Sequence, residues 1–278
     1  MPPKDSIANT FLVSFVLCVV CSLLVSSAAV ILKPLQQKNK ELDQKRNVLA
    51  AAGLTVDRDG EEIAAADMNG AEVEEVFDTR VTRRLLDIET GEYVADDEVD
   101  EKFDPRKAAK SPELNTPVAG GFKIGPSNRE KQTWVYLVKD GENVEQFVVP
   151  IYGMGLWSTL YGFVAVDKDL VTIRGLTYYE HGETPGLGGE VENPLWKSKW
   201  VGKKIYDEAI TVADATNDDI KTGVAKGAPS TELAAYQVDG ISGATITCNG
   251  VTAMLKYWFS DQGFGPYFKK LASEQGAG

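Results

Sequence analysis

The chain has 278 residues and a mass of 30.2 kDa, with 43% hydrophobic, 9% aromatic and 25% charged residues. That is the make-up of a folded globular protein with room for one large or two small domains, and it excludes a disordered, collagenous or multi-span membrane chain. Lys and Arg number 29 against 41 Asp and Glu, a net charge of −12 that a nucleic-acid backbone would repel. Three cysteines and one histidine are too few for a disulfide scaffold or an ordinary zinc cluster, so any redox or group-transfer chemistry calls for a borrowed cofactor.

No charge falls between Asp5 and Lys33, and Phe11 to Leu32 is an unbroken run of Phe, Leu, Val, Ile, Ala, Cys and Ser. As a helix at about 1.5 Å per residue it spans a hydrocarbon core about 30 Å thick once. Lys4 and the Ser26-Ser27-Ala28-Ala29 stretch would suit a cleaved signal peptide, but the run is long for one and continues through Val30, Ile31 and Leu32, which favours a retained anchor. Val20 before Cys21 argues against a lipoprotein. Cys18 and Cys21 lie one helical turn apart and read as small apolar packing residues rather than metal ligands. Beyond Lys33-Pro34, Leu35, Leu42 and Leu49 recur at seven, which predicts a juxtamembrane helix ending near Gly53. Residues 1–46 carry six basic and three acidic side chains, leaving −15 on the rest. Counting lysines places the bulk of the chain in the cytoplasm, although large acidic domains translocate regardless of loop charge.

The expected divisions are 1–33 with the membrane helix, 34–55 with the juxtamembrane helix, an acidic α+β subdomain over 56–127, and a principal domain over 128–278. The acidic runs Asp96-Asp97-Glu98 and Asp100-Glu101 read as a solvated face, and Ser111 to Ser127, with three prolines and Gly120-Gly121, as a loop. Two hairpins follow: Trp134–Val138 with Val144–Val149 about Asp140-Gly141, and Leu160–Val166 with Leu170–Tyr179 about residues 167–169. Short antiparallel connections make the class α+β. Gly153, Gly155 and Gly162 around Trp157 do not form a dinucleotide fingerprint and read as tight-turn glycines.

Two segments carry candidate chemistry. His181-Gly182-Glu183-Thr184-Pro185-Gly186-Leu187-Gly188-Gly189 is a glycine-rich loop that brings backbone N–H groups close to a ring or a phosphate, with an ordinary long turn as the alternative; lone His181 reads as a packing or surface residue. Asp239-Gly240-Ile241-Ser242-Gly243-Ala244-Thr245-Ile246-Thr247 precedes Val251, Met254, Leu255, Trp258 and Phe259, which share one face of a helix. A small-residue loop at a helix amino terminus favours an anion, with the hydroxyls of Ser242, Thr245 and Thr247 available to phosphate; plain capping by Ser and Thr is the alternative.

Asp239-Gly-Ile-Ser-Gly-Ala-Thr245 resembles the flavinylation signature of covalent FMN-binding domains, in which the last threonine is joined to FMN through a phosphodiester. The wider pattern is similar to the C subunits of sodium-translocating NADH:quinone oxidoreductases: one amino-terminal span, Lys45-Arg46-Asn47-Val48-Leu49-Ala-Ala-Ala-Gly53-Leu54, Pro150-Ile-Tyr-Gly153-Met-Gly155-Leu-Trp157, Tyr161-Gly162 and Glu183-Thr-Pro-Gly-Leu-Gly188. The resemblance implies an antiparallel-sheet FMN-binding domain with flanking helices, placed outside the cytoplasm on a bacterial inner membrane. It further implies FMN on Thr245, with Asp239 in the motif and Ser242, Gly243, Ala244, Thr247, Glu183, Thr184, Leu187, Gly188 and Trp157 around the flavin. It assigns no catalytic residue or metal ligand. The implied partners are a flavin transferase during maturation, membrane lipid, and the other membrane and flavin subunits, with electrons passing from an iron–sulfur centre to another flavin and neither an NADH nor a quinone site on this chain. The alternatives are the covalent-flavin subunit of the Rnf electron-transport complex, which shares the motif, and a membrane-anchored binding module without redox chemistry in which Ser242 and Thr245 merely cap a helix.

Overall fold

The computed structural model describes residues 3, 6–119, 121–122 and 124–276, so Lys4, Asp5 and Gly120 lie outside the described residues. Contacts divide the chain into two units, residues 1–44 and 45–278. Helix α1 (Ile7–Ala51) contains the uncharged run. Its side chains there are solvent-facing, and an 18-residue window of mean hydropathy 2.8 makes it long and apolar enough to cross a membrane. Pro34 stands inside this helix, so the anchor and juxtamembrane segments expected separately are one continuous element.

The second unit begins on the last turns of α1. Val48, Leu49 and Ala51 are buried there, and the helix stops where the pattern puts the stop. Gly53 adopts φ +66°, its N–H bonds to Ala50 O at 3.2 Å, and Leu54 N–H bonds to Leu49 O at 3.0 Å, the paired closure that a left-handed glycine permits. A hairpin of β1 (Thr55–Arg58) and β2 (Glu61–Ala64) follows. Then comes α2 (Gly70–Arg80), started by an Asn69–Glu72 capping box.

Six antiparallel strands form the main sheet: β3 (Val81–Asp87), β4 (Glu92–Tyr93), and, after α3 (Pro105–Ala108) and the short pair β5 (Asn115–Pro117) and β6 (Asn128–Glu130), the meander β7 (Gln132–Asp140), β8 (Asn143–Met154), β9 (Thr159–Asp167) and β10 (Ile173–Glu180). Their spatial order is β10-β9-β8-β7-β3-β4. The two hairpins stand where apolar runs and turn residues put them, with Gly141 at φ +61° between β7 and β8. β10 starts three residues later than expected because Leu170 is drawn into the turn at φ +62°, while Asp169 Oδ1 accepts the N–H groups of Val171 and Thr172. The stretch read as one loop, 111–127, instead supplies β5.

After α4 (Pro194–Ser198) and a short parallel pair, β11 (Gly223–Val224) with β12 (Gln237–Val238), come α5 (Thr245–Trp258) and α6 (Gly265–Gly276). The five apolar positions expected on one face of α5, Val251 through Phe259, are all buried. They meet Val149, Ile151, Val164, Leu176 and Tyr178, which point to one side of the sheet. The intervening strand residues are buried on the other side: Tyr136 packs edge-on against Phe77 of α2 at 6.1 Å, and Gln146 Nε2 donates to Ala52 O at 3.2 Å. A sheet covered on both faces reads as a continuous apolar run, as Phe163-Val164-Ala165-Val166 does.

Gly153 and Gly162 lie inside strands and Gly155 immediately follows β8, none with positive φ, so they are close-approach glycines and not the turn glycines expected. A Cβ on Gly153 would stand 2.8 Å from Met254 Cβ, and one on Gly250 would stand 2.1 Å from Met154 O. Together they let α5 lie directly on the end of β8. Trp258, fully buried, stacked 5.2 Å from Phe264 and donating Nε1–H to Tyr152 O at 2.8 Å, locks the far end of α5. Trp258→Ala should lower the unfolding free energy by about 3–5 kcal/mol, measurable as a shifted urea midpoint of the full chain in detergent.

Candidate functional site

Helix arithmetic sorts the residues at the start of α5. At about 100° per residue, the face set by Val251 and Leu255 also carries Ala244, Thr247 and Cys248, and it turns Thr245, Ile246 and Asn249 outward. Ala244, Thr247 and Cys248 are buried, while Ser242, Gly243, Thr245 and Ile246 are exposed. The N-cap residue is Ala244, with no side-chain cap, and the intrahelical ladder begins at Cys248 N–H to Ala244 O, 2.9 Å. Neither Ser242 nor Thr245 caps the helix, which overturns the capping alternative. The N–H groups of the first turn therefore point out of the helix end beside the Thr245 hydroxyl, carrying the positive end of the helix dipole.

The Thr247 hydroxyl points inward. It donates to Glu183 Oε2 at 2.6 Å, and that carboxylate also accepts N–H groups from Leu156 at 3.1 Å, Trp157 at 2.9 Å and Ser158 at 3.3 Å. Glu183 is only 5% exposed. Burial pushes its pKa up, but the bonds from Thr247, Trp157, Leu156 and Ser158 outweigh it and hold the group below the ordinary carboxylate value. One side chain thus joins the β8–β9 turn, the 181–189 loop and the first turn of α5. Gly188 fits against it because a Cβ there would lie 2.6 Å from both Glu183 Oε2 and Thr247 Oγ1. His181 accepts Glu183 N–H on Nδ1 at 3.1 Å and places Nε2 3.2 Å from Glu192 Oε1, while Ser158 Oγ accepts Gly182 N–H at 2.6 Å.

The head of the 239–245 loop is held separately. Asp239 Oδ2 pairs with Lys199 Nζ at 2.6 Å, its carbonyl accepts Trp196 Nε1–H at 3.0 Å, and Ile241 N–H points to Cys248 Sγ at 3.3 Å. The Lys199 bond holds Asp239 below its usual pKa, and burial pushes the Cys248 thiol up.

Of the residues singled out in the sequence, Glu183, Thr247 and Gly188 form the frame beneath the surface rather than a lining. Leu187 reaches the 239–245 loop, since a Cβ on Gly243 would lie 2.8 Å from Leu187 Cδ2. Trp157 is tied to the frame by its N–H, with its side chain 66% exposed; Leu156, Leu187 and Ile246 are likewise exposed. Thr184 is exposed, its carbonyl accepting the N–H groups of Leu187 and Gly189. Sequence reasoning missed Ser158, Trp196, Lys199 and the structural use of Cys248. Of these only Cys248 carried a signal, its phase on the apolar face of α5. Among the described residues no group of three or more His, Cys, Asp and Glu side chains is placed to hold a metal ion.

Glu183→Gln should destabilise the chain by about 1–3 kcal/mol near neutral pH, because an amide cannot accept all four bonds. The native carboxylate stabilises the fold above its unfolded pKa, about 4.3, and that advantage disappears as the pH falls through the lower folded value. Urea midpoints of wild type and variant should therefore differ at pH 7 and converge in acid; a pH-independent difference would remove the charge from the explanation.

Comparison with known proteins places this arrangement in a family. The FMN-binding domain family matches residues 155–260, a span that starts at the β8–β9 turn and contains all three segments joined by Glu183. The chain is 43% identical over 271 residues to the C subunit of the Na(+)-translocating NADH-quinone reductase of Yersinia pestis, covering 96% of this chain and 94% of that protein. It is 41% identical over 274 residues to the corresponding C subunit of Pseudomonas aeruginosa, covering 98% of each. Among solved structures, the crystal structure of Shewanella oneidensis NqrC superposes with a TM-score of 0.70 at 33% identity, over 86% of this chain and 99% of that one. Identity of this order from end to end, on the same fold, shows that the chain belongs to the family of C subunits of the Na+-translocating NADH-quinone reductases.

Proposed function

We propose that the chain carries FMN esterified through its phosphate to Thr245 Oγ1 and serves as an electron relay in a sodium-pumping NADH:ubiquinone oxidoreductase. The observation that carries this reading is an exposed Thr245 hydroxyl on the first turn of a helix whose amino terminus no side chain caps. The residues fit the group. Outward N–H groups and the helix dipole suit its phosphate, Gly243 and Ala244 put little bulk beside it, and the Ser242 hydroxyl is exposed at the loop. Exposed Trp157, Leu156, Leu187 and Ile246 offer apolar surface to its ring, with Thr184 at the rim. FMN supplies transfer of electrons one at a time.

In attachment, Thr245 Oγ1 would form the bond to the flavin phosphorus of an activated donor, a flavin phosphoanhydride; the anhydride P–O bond breaks, the nucleoside monophosphate leaves with its electron pair, and the threonine proton passes to a base of the transferase. Asp239 is engaged by Lys199, and no other carboxylate lies in the motif, so activation belongs to a separate flavin transferase. Glu183 and Thr247 act from below by holding the three loops in register, and Gly188 leaves room for them. The helix α1 anchors the chain among lipids of the bacterial inner membrane. The domain beyond it lies on the periplasmic side, a placement its acidity permits because large acidic domains translocate regardless of loop charge. There it takes electrons from an iron–sulfur centre in the membrane subunits and passes them to a second covalent flavin on a neighbouring subunit.

The full chain coexpressed with a flavin transferase should give a band that fluoresces under ultraviolet light after denaturing electrophoresis. Thr245→Ala should abolish that fluorescence while the protein remains folded. A fluorescent Thr245→Ala band would move the attachment elsewhere, and a dark wild-type band beside an active transferase would end the reading.

A further inference from the structure

The loop that ends at Thr245 is tied down at its first residue by a helix 40 residues upstream. α4 is anchored to the core by buried Trp196, set edge-on 5.6 Å from fully buried Trp200. From that anchored turn, Trp196 Nε1–H holds the Asp239 carbonyl and Lys199 Nζ holds the Asp239 carboxylate at 2.6 Å. The two are three residues apart and so face the same way. The next residues are fixed as well: Gly240 N–H bonds to Gly227 O at 2.9 Å, with Ala225 O 2.6 Å from where a Cβ would stand, and Ile241 N–H meets Cys248 Sγ. Three consecutive residues ahead of Ser242 are pinned, and Lys199 is the cation among their partners.

Two consequences follow from the pairing. An ionised carboxylate in salt-bridge contact with an ammonium is a poor base for the Thr245 proton, so Asp239 works as a tether. An unpaired carboxylate at the head of this loop would also repel an arriving phosphate, and Lys199 cancels that charge. We propose that Lys199 is a positioning residue for flavin attachment: through Asp239 it fixes the head of the 239–245 loop and neutralises it, so that Thr245 Oγ1 is presented to the flavin phosphate. The proposal rests on the attachment to Thr245 argued above. Both partners are more than 40% exposed, and exposed ion pairs add little to global stability, so losing Lys199 should leave the fold standing and register in attachment.

The test follows the rate at which flavin fluorescence appears on the full-length chain coexpressed with a flavin transferase, normalised to protein, for wild type, Lys199→Met, Lys199→Arg, Asp239→Asn and the Met/Asn double variant. Lys199→Met should slow labelling about tenfold, Lys199→Arg should stay within about twofold of wild type, and the double variant should label no more slowly than the slower single. Unfolding midpoints of Lys199→Met and wild type should agree within about 3 °C. Wild-type labelling rates in Lys199→Met, failure of Arg to rescue, or losses that multiply in the double variant would each overturn the role of Lys199 while leaving the attachment intact. An unlabelled wild-type chain would overturn the attachment itself.

Discussion

One buried carboxylate sets the geometry of the site. Removing an ion from water costs several kcal/mol unless hydrogen bonds replace its hydration, and Glu183 receives four, three from consecutive backbone N–H groups and one from the Thr247 hydroxyl. Those four bonds replace the lost hydration and favour the charged form over burial, which is why its pKa lies below the ordinary carboxylate value. Because the donors come from two other segments, neither the β8–β9 turn nor the start of α5 can shift without breaking a charged bond. The glycines follow from the same constraint: a Cβ on Gly155 or Gly188 would lie 2.6 Å from an oxygen of this carboxylate.

The sheet decides where those loops can be. With α5 and α6 on one face and α2 with the end of α1 on the other, the meander β7–β10 has no free face along which to slip. α5 lies on β8 in the single register that Gly153 and Gly250 permit. Helical phase does the rest. A helix that buries Val251 and Leu255 must bury Thr247 and must turn Thr245 out, so two threonines two residues apart acquire opposite fates.

Local signals made the hairpins, the apolar face of α5 and the Gly53 stop legible in the sequence, because apolar runs bounded by turn residues, helical periodicity and a left-handed glycine act over a few residues. The role of Glu183 was not legible, since its partners lie 25–27 residues before it and 64 after. The Lys199–Asp239 pair spans 40 residues for the same reason. The acidic runs Asp96-Asp97-Glu98 and Asp100-Glu101 are exposed, as their charge predicts, but the strand ahead of them was not singled out: β3, with buried Leu85 and Leu86, pairs over seven residues with β7. Alternation was hidden wherever both sheet faces are covered. The glycines beside Trp157 could not be told from turn glycines, because what demands them is the close approach of atoms from other segments, Met254 at Gly153, Glu183 at Gly155 and the Thr177 carbonyl at Gly162.

The openness of the site bears on how a flavin would be kept there. Ligands held without a covalent bond sit in clefts that bury most of their surface. Around Thr245 the apolar side chains stand outward, with Trp157 two-thirds exposed and Ile246 more than half. A ring resting on such a surface gains too little burial to be retained through changes of its own charge, whereas the ester proposed at Thr245 retains it in every redox state. The same exposure would leave an edge of a ring attached at Thr245 open to a partner at short range. An electron relay needs that access and a substrate-enclosing enzyme avoids it, so a shallow platform with a rigid frame and a covalent tether is a consistent solution for a chain that would exchange electrons alone.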